Sequence, residues 1–163
     1  MAFSNMNLAR KINSAFIATF FGSGVIRPAS GTWGTLGGWL FYMALHPWLP
    51  GVVFWIALTL LALVAGAWAC RVTGDDIGVH DHSSIVIDEV FAIWMVLLAV
   101  PDSPGWRIAA FVAFRFFDIV KIQPARYFDR NPRWRNGWGV MLDDAVAGVQ
   151  AIALLGIARF FLS

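Results

Sequence analysis

Charged residues are scarce in this chain. Asp, Glu, Lys and Arg make up 13% of its 163 residues, about half the share expected of a soluble domain. So few solvated side chains cannot cover a water-exposed globule. With 59% of residues apolar and a mean hydropathy of +0.67, the composition points to a polytopic membrane protein of one domain. Cysteine is nearly absent: the single Cys70 excludes an intramolecular disulfide and says little about redox compartment. Net charge is also small, +2 despite a pI near 9.1. That balance argues against a nucleic-acid partner and suits basic loops at a membrane surface. No internal repeat, low-complexity tract or long linker interrupts the chain, so a single domain over residues 1–163 is expected.

What the chain does have is aromatic and apolar. Nine Trp and fourteen Phe accompany five apolar segments, and Trp favours membrane interfaces. The segments run from about Trp33 to Trp48, Val52 to Arg71, Ile85 to Val100, Trp106 to Ile122, and Asp143 to Leu162. Several lie near the roughly 17-residue lower limit for a span, so tilted or partly embedded helices are allowed. Upstream, Leu8, Ile12, Phe16 and Phe20 recur every four residues and predict an amphipathic helix on the membrane surface or capping the bundle. Arg10-Lys11 before a short apolar run also resembles a signal sequence. No A-x-A-like cleavage site follows, so the segment is expected to stay in the mature protein, with a signal anchor as the weaker alternative. The fold expected is all-α: a membrane bundle of four to five apolar helices plus this amphipathic one.

If each segment crosses once, the loops at 22–32, 72–84 and 123–142 share one side. They and the adjoining helix ends hold Arg10, Lys11, Arg27, Arg71, Arg115, Lys121, Arg126, Arg130, Arg133 and Arg135, against Arg107 and Arg159 opposite. This bias makes the first side cytoplasmic. The acids partition the same way, with only Asp102 outside.

Five of those acids sit at apolar helix ends: Asp88-Glu89 opening the third segment, Asp118 closing the fourth, Asp143-Asp144 opening the fifth. Helix capping accounts for an Asp at an N-terminus. It does not account for Asp118 at a C-terminal end, nor for five acids at one depth. Carboxylates massed near lipid need cations, protons or a metal. Oxygen ligands without a Cys or His cluster point to Mg²⁺. Around them, His80 and His82 flank Asp81 and read equally as solvated loop residues or as a general acid or base. Arg115, Asp118 and Lys121 share a helix face, which makes the two cations candidates for a substrate phosphate. The glycine- and hydroxyl-rich GSGVIRPASGTWGTLGG allows backbone N–H groups to approach a phosphate, although no P-loop Gly-Lys-Ser/Thr follows. The same glycines also suit close helix packing.

Four stretches, GSGVIRPASGTWGTLGG, DDIGVHDHSSIVIDEVFAIW, FRFFDIVKIQPARYFDRN and GWGVMLDDAVAGV, together resemble the phosphatidylglycerophosphatase A family of Mg²⁺-dependent bacterial membrane phosphatases. They run in family order over most of residues 22–149. The resemblance implies removal of the terminal phosphate from phosphatidylglycerol phosphate, giving phosphatidylglycerol in the cytoplasmic (inner) membrane, with the active face cytoplasmic. It carries over Asp81, Asp88, Glu89, Arg115, Asp118, Lys121, Asp129, Asp143 and Asp144. On that basis Asp81, His82, Asp88 and Asp118 are expected to be catalytic. Arg27, Thr32, Arg115, Lys121 and Arg126 are expected at the phosphate, and Asp88, Glu89, Asp118, Asp143 and Asp144 at Mg²⁺. Either water or an Asp serves as nucleophile, and the lack of a DxDx(T/V) motif favours water. The chain has Lys121-Ile122 where the family commonly has Lys-Pro, and Ser30 where it has Pro before Gly-Thr.

The motifs of CDP-alcohol phosphotransferases and of lipid phosphatases with a His nucleophile are missing. A small ion transporter or channel subunit using intramembrane carboxylates is the alternative from another class. It needs polar groups distributed through the bilayer, and the second and third segments have none beyond their cytoplasmic ends.

Overall fold

The computed structural model describes residues 2–79, 82–124 and 136–162. Among them there are six α-helices, one 3₁₀ turn at Ser23–Val25, and no strands. The helices are α1 (Ala2–Ala18), α2 (Ser30–Leu45), α3 (Val52–Ile77), α4 (Ile87–Ala99), α5 (Pro104–Val120) and α6 (Gly137–Leu162).

The five apolar segments become five helices of very unequal length. At 1.5 Å per residue, the 26 residues of α3 and of α6 give about 39 Å each, enough for a hydrocarbon core of about 30 Å. The 13 residues of α4 give only about 20 Å. Two helices are therefore long and apolar enough to cross a membrane, against the four to five expected. Both keep most of their apolar stretch on the outside, with only 33% and 22% buried. Neither is a core helix of the bundle.

The core helix is the short one. Nine of the residues of α4 are buried, on every side, and it packs against α2, α3, α5 and α6. A helix that is hydrophobic all round belongs in an interior. The periodicity that read as a span is that of a helix sheathed by other helices. Glycines let the neighbours come close: a Cβ on Gly34 of α2 would stand 2.4 Å from Val86 Cβ, and one on Gly38 3.1 Å from Val90 Cγ1. A Cβ on Gly137 would stand 2.0 Å from the Ala67 carbonyl oxygen, so the start of α6 lies directly on the backbone of α3.

The stripe Leu8, Ile12 and Phe16 of α1 faces outward, and Ser14 and Ala18 are the buried side. The helix packs on α3, fastened by the Lys11–Asp76 ion pair. Phe20, the fourth member of the stripe, lies beyond the helix and turns inward against Phe41 and Trp94.

The ends of α2 and α5 define two poles. Thr32 and Thr35 at the start of α2 meet Arg115 near the end of α5. Met43 and His46 at the finish of α2 meet Arg107 near the start of α5. At this second pole Arg107 pairs with Asp102 and lies over the Tyr42 ring, and its carbonyl accepts the Trp39 indole N–H at 2.9 Å.

Close packing at Gly34 gives a paired prediction for thermal unfolding in detergent. Gly34→Ala forces the backbone of α2 away from Val86 and should cost about 1–3 kcal/mol. Gly156→Ala, in open space on α6, should be neutral or stabilising by about 0.5–1 kcal/mol. Equal midpoints for the two variants would contradict this packing.

Candidate active site

Three helices deliver five carboxylates to the first pole. Asp88 and Glu89 occupy the first turn of α4, where the macrodipole favours negative charge. The N-cap Val86 supplies no side-chain bond. Asp118 lies in the last turn of α5. Asp143 and Asp144 were expected to open the fifth helix, but α6 begins six residues earlier, at Gly137. Its cap is Asn136, whose Oδ1 accepts the N–H groups of Trp138 and Gly139 at 3.0 Å. The two aspartates stand on the second turn, so capping does not explain them.

Asp88, Glu89 and Asp144 can each turn one oxygen into a common space, with the three atoms within 4.8 Å of one another. Asp88, Asp118 and Asp143 all lie within electrostatic reach of Asp144. Asp88, Asp143 and Asp144 are buried, and the side chains of Glu89 and Asp118 are each only 12% exposed. Among the described residues two cations pair with these acids. Arg115 pairs with Asp118 at 2.5 Å, with Glu89 at 4.0 Å, and Lys121 pairs with Asp143. Carboxylates gathered in this way out of bulk water are costly unless cations or protons balance them.

The polar atoms left over mark where such a cation fits. Glu89 Oε2 and Asp144 Oδ2 are buried and accept no hydrogen bond among the described residues. An all-oxygen, all-anionic donor set of this kind suits a hard divalent ion such as Mg²⁺ rather than zinc. Beside it, Arg115 Nε is buried and donates to nothing among the described residues. A site with empty acceptors for a metal and an empty donor for an anion can receive a metal-bound phosphate.

Other expected residues are placed differently. Thr32 contacts Arg115: its Oγ1 accepts Nη2 at 3.2 Å. Thr35, which sequence reasoning passed over, is fully buried and accepts Arg115 Nη1 at 3.2 Å. Its only signal was its spacing, three residues after Thr32 on one helix face. Gly31 leaves room for the same group, since a Cβ there would stand 2.2 Å from Glu89 Oε1. His82 turns to its own loop, with Nδ1 2.7 Å from Ser84 Oγ and accepting the Ser84 N–H at 3.2 Å. Arg27 is exposed on the loop before α2 and forms no ion pair among the described residues. Asp81, Arg126 and Asp129, with His80, lie outside the described residues.

Comparisons with known proteins agree with this reading. The sequence model of the family Phosphatidylglycerophosphatase A matches residues 16–159. A Haemophilus influenzae protein named phosphatidylglycerophosphatase A is 43% identical over 147 residues, covering 90% of this chain and 88% of the relative. An Escherichia coli K12 protein of the same name is 39% identical over 142 residues, covering 85% and 79%. A Bacteroides thetaiotaomicron protein named putative phosphatidylinositol-3-phosphatase is 41% identical over 150 residues, covering 88% and 92%. No solved structure matches the chain. None of these names supports transport. Together with the acid and arginine pole, they show that the chain belongs to the phosphatidylglycerophosphatase A family, and it is an enzyme of the phosphatase class.

Proposed function

We propose that the chain hydrolyses the terminal phosphate monoester of phosphatidylglycerol phosphate in a Mg²⁺-dependent reaction at the first pole. One observation carries this reading beyond family membership. Glu89 Oε2, Asp144 Oδ2 and Arg115 Nε, each without a hydrogen-bond partner among the described residues, belong to one cluster. Asp88, Glu89 and Asp144 would hold the metal, which when bound supplies charge neutralisation and polarises a phosphoryl oxygen.

The chain's own groups then divide the remaining work. Arg115 turns its guanidinium from Asp118 to the non-bridging oxygens, where its planar fork matches phosphate geometry. Lys121 exchanges Asp143 for the same anion as a point charge. Asp118, released from Arg115, accepts a proton from the water whose oxygen attacks phosphorus. The phosphorus–oxygen bond to the lipid glycerol breaks, and the leaving oxygen takes a proton from solvent. Asp118 is assigned the base role because it lies beside Arg115 and within reach of Asp144 in the carboxylate cluster, whereas His82 turns its Nδ1 to Ser84. The acyl chains stay in the bilayer beside the exposed apolar faces of α3, α5 and α6, where Leu60, Val112 and Ile157 point outward.

A multi-pass placement in the bacterial inner membrane, with this pole cytoplasmic, follows from the bias of ten basic residues against two. A second headgroup stays in view, because the Bacteroides relative is named for a phosphoinositide. Both substrates carry a phosphate monoester on a lipid headgroup, so the site chemistry described serves either.

Phosphate release by purified protein in detergent tests the reaction. Release from phosphatidylglycerol phosphate should exceed release from phosphatidylinositol 3-phosphate, stop with EDTA and return with Mg²⁺. Asp88→Asn and Asp144→Asn should each lower it by about a hundredfold or more. Activity that survives both EDTA and Asp144→Asn would remove the metal from the mechanism. Arg115→Lys keeps the charge but loses the fork, and kcat/KM should fall about tenfold or more; an unchanged value would take Arg115 off the phosphate. For orientation, Trp48→Cys and Val79→Cys are placed singly in a Cys70→Ser background. An impermeant maleimide applied to intact spheroplasts should label the first alone, and the opposite pattern would invert the topology.

A further inference from the structure

Arg115 is held by α2 in a way the reaction alone does not require. Thr35 Oγ1 donates its one proton to the Gly31 carbonyl at 2.9 Å, so toward Arg115 it can only accept, and it receives Nη1 at 3.2 Å. One turn earlier, Thr32 Oγ1 receives Nη2 at 3.2 Å. The two hydroxyls are three residues apart on one helix face and take the two prongs of one guanidinium. Asp118 Oδ2 meets Nη1 from the other side at 2.5 Å. Gly31 completes the seat, because any side chain there would collide with Glu89 Oε1 and crowd Nη1.

The chemistry of these acceptors differs in a useful way. A carboxylate both orients a guanidinium and neutralises it, whereas a hydroxyl orients it and leaves its charge intact. If Asp118 alone held Arg115, releasing that contact would release the side chain. With two neutral contacts on α2, the guanidinium can give up Asp118 and keep its plane.

We propose that Thr35 is a positioning residue. It anchors Arg115 through a buried, uncharged acceptor, so that the guanidinium exchanges Asp118 for the substrate phosphate without losing its orientation. The inference rests on the reading of Arg115 as the phosphate-binding cation. Thr35 touches no substrate in this account and acts only through Arg115. Thr32, half-buried on the same face, shares the anchoring role.

The experiment is a double-mutant cycle with two readouts. Thr35→Val preserves shape and removes the acceptor, Thr35→Ser restores it, and each is combined with Arg115→Lys. In steady-state hydrolysis of phosphatidylglycerol phosphate, Thr35→Val should raise KM about tenfold with a smaller change in kcat. Thr35→Ser should recover to within about threefold of wild type. In the Arg115→Lys background Thr35→Val should have no further effect, since its partner is already lost. Equal loss in Thr35→Ser and Thr35→Val, or full additivity with Arg115→Lys, would overturn the proposal and leave Thr35 a packing residue.

The second readout, calorimetric titration of inorganic phosphate into the Mg²⁺-supplemented protein, needs no turnover. Weakening of about tenfold by Thr35→Val but not Thr35→Ser supports the anchor. Unchanged affinity rejects it. If wild type binds phosphate in this pattern yet hydrolyses no lipid, the substrate assignment fails while the anchor stands. Thermal midpoints of each variant identify misfolded protein. If Thr35→Val unfolds, the Thr35→Ser and Thr35→Ala pair carries the same comparison.

Discussion

Repulsion among buried carboxylates is the constraint around which the molecule is arranged. Asp88, Glu89, Asp118, Asp143 and Asp144 come together out of bulk water from three helices, and like charges so placed repel strongly in a medium of low dielectric. Among the described residues two cations pair with them, neither from the helix that carries Asp88 and Glu89: Arg115 from α5, with its fork seated on α2, and Lys121 from the turn after α5.

The helices follow from that demand. To bring acids from α4, α5 and α6 to one depth, the shortest helix lies inside and longer ones surround it, and glycines on α2 and at the start of α6 remove the side chains that would hold them apart. The buried indole N–H groups show the same discipline about unpaired polar atoms. Trp94 donates to the Gly38 carbonyl and Trp55 to the Leu49 carbonyl, each at 2.8 Å. At the far pole Arg107, Asp102 and His46 are joined to one another instead of standing open. Among the described residues the far pole leaves one buried donor, Arg107 Nε, without a partner, whereas the first pole leaves acceptors as well as a donor, Glu89 Oε2, Asp144 Oδ2 and Arg115 Nε.

Much of this was legible in the residues. Low charge and long apolar runs pointed to apolar helices, and two of those formed are long and apolar enough to cross a membrane. The convergence of Asp88, Glu89 and Asp144 followed from placing helix ends at one depth, which requires only chain direction and segment order. The pairing of Arg115 with Asp118 followed from three-residue spacing on one helix. Less legible were helix lengths. The apolar run that forms α4 looked like a span because periodicity does not distinguish lipid from protein as the apolar surroundings. The start of α6 was placed six residues late, at the paired aspartates, although Asn136-Gly137 carried a capping signal.

The sequence by itself determined the class of the molecule: an apolar helical protein with acids and bases gathered at one pole, in a family marked by local motifs. Those properties are additive over residues or local along the chain, so no coordinates were needed. Tertiary structure decided which atoms meet. Thr35 and Arg115 are eighty positions apart, and nothing local to either names the other. Nor does the order of residues say that His82 turns its Nδ1 to Ser84, two residues on. Whether a polar atom is already satisfied depends on every neighbour in three dimensions. That occupancy separates residues free to act on a ligand from those that hold the fold together.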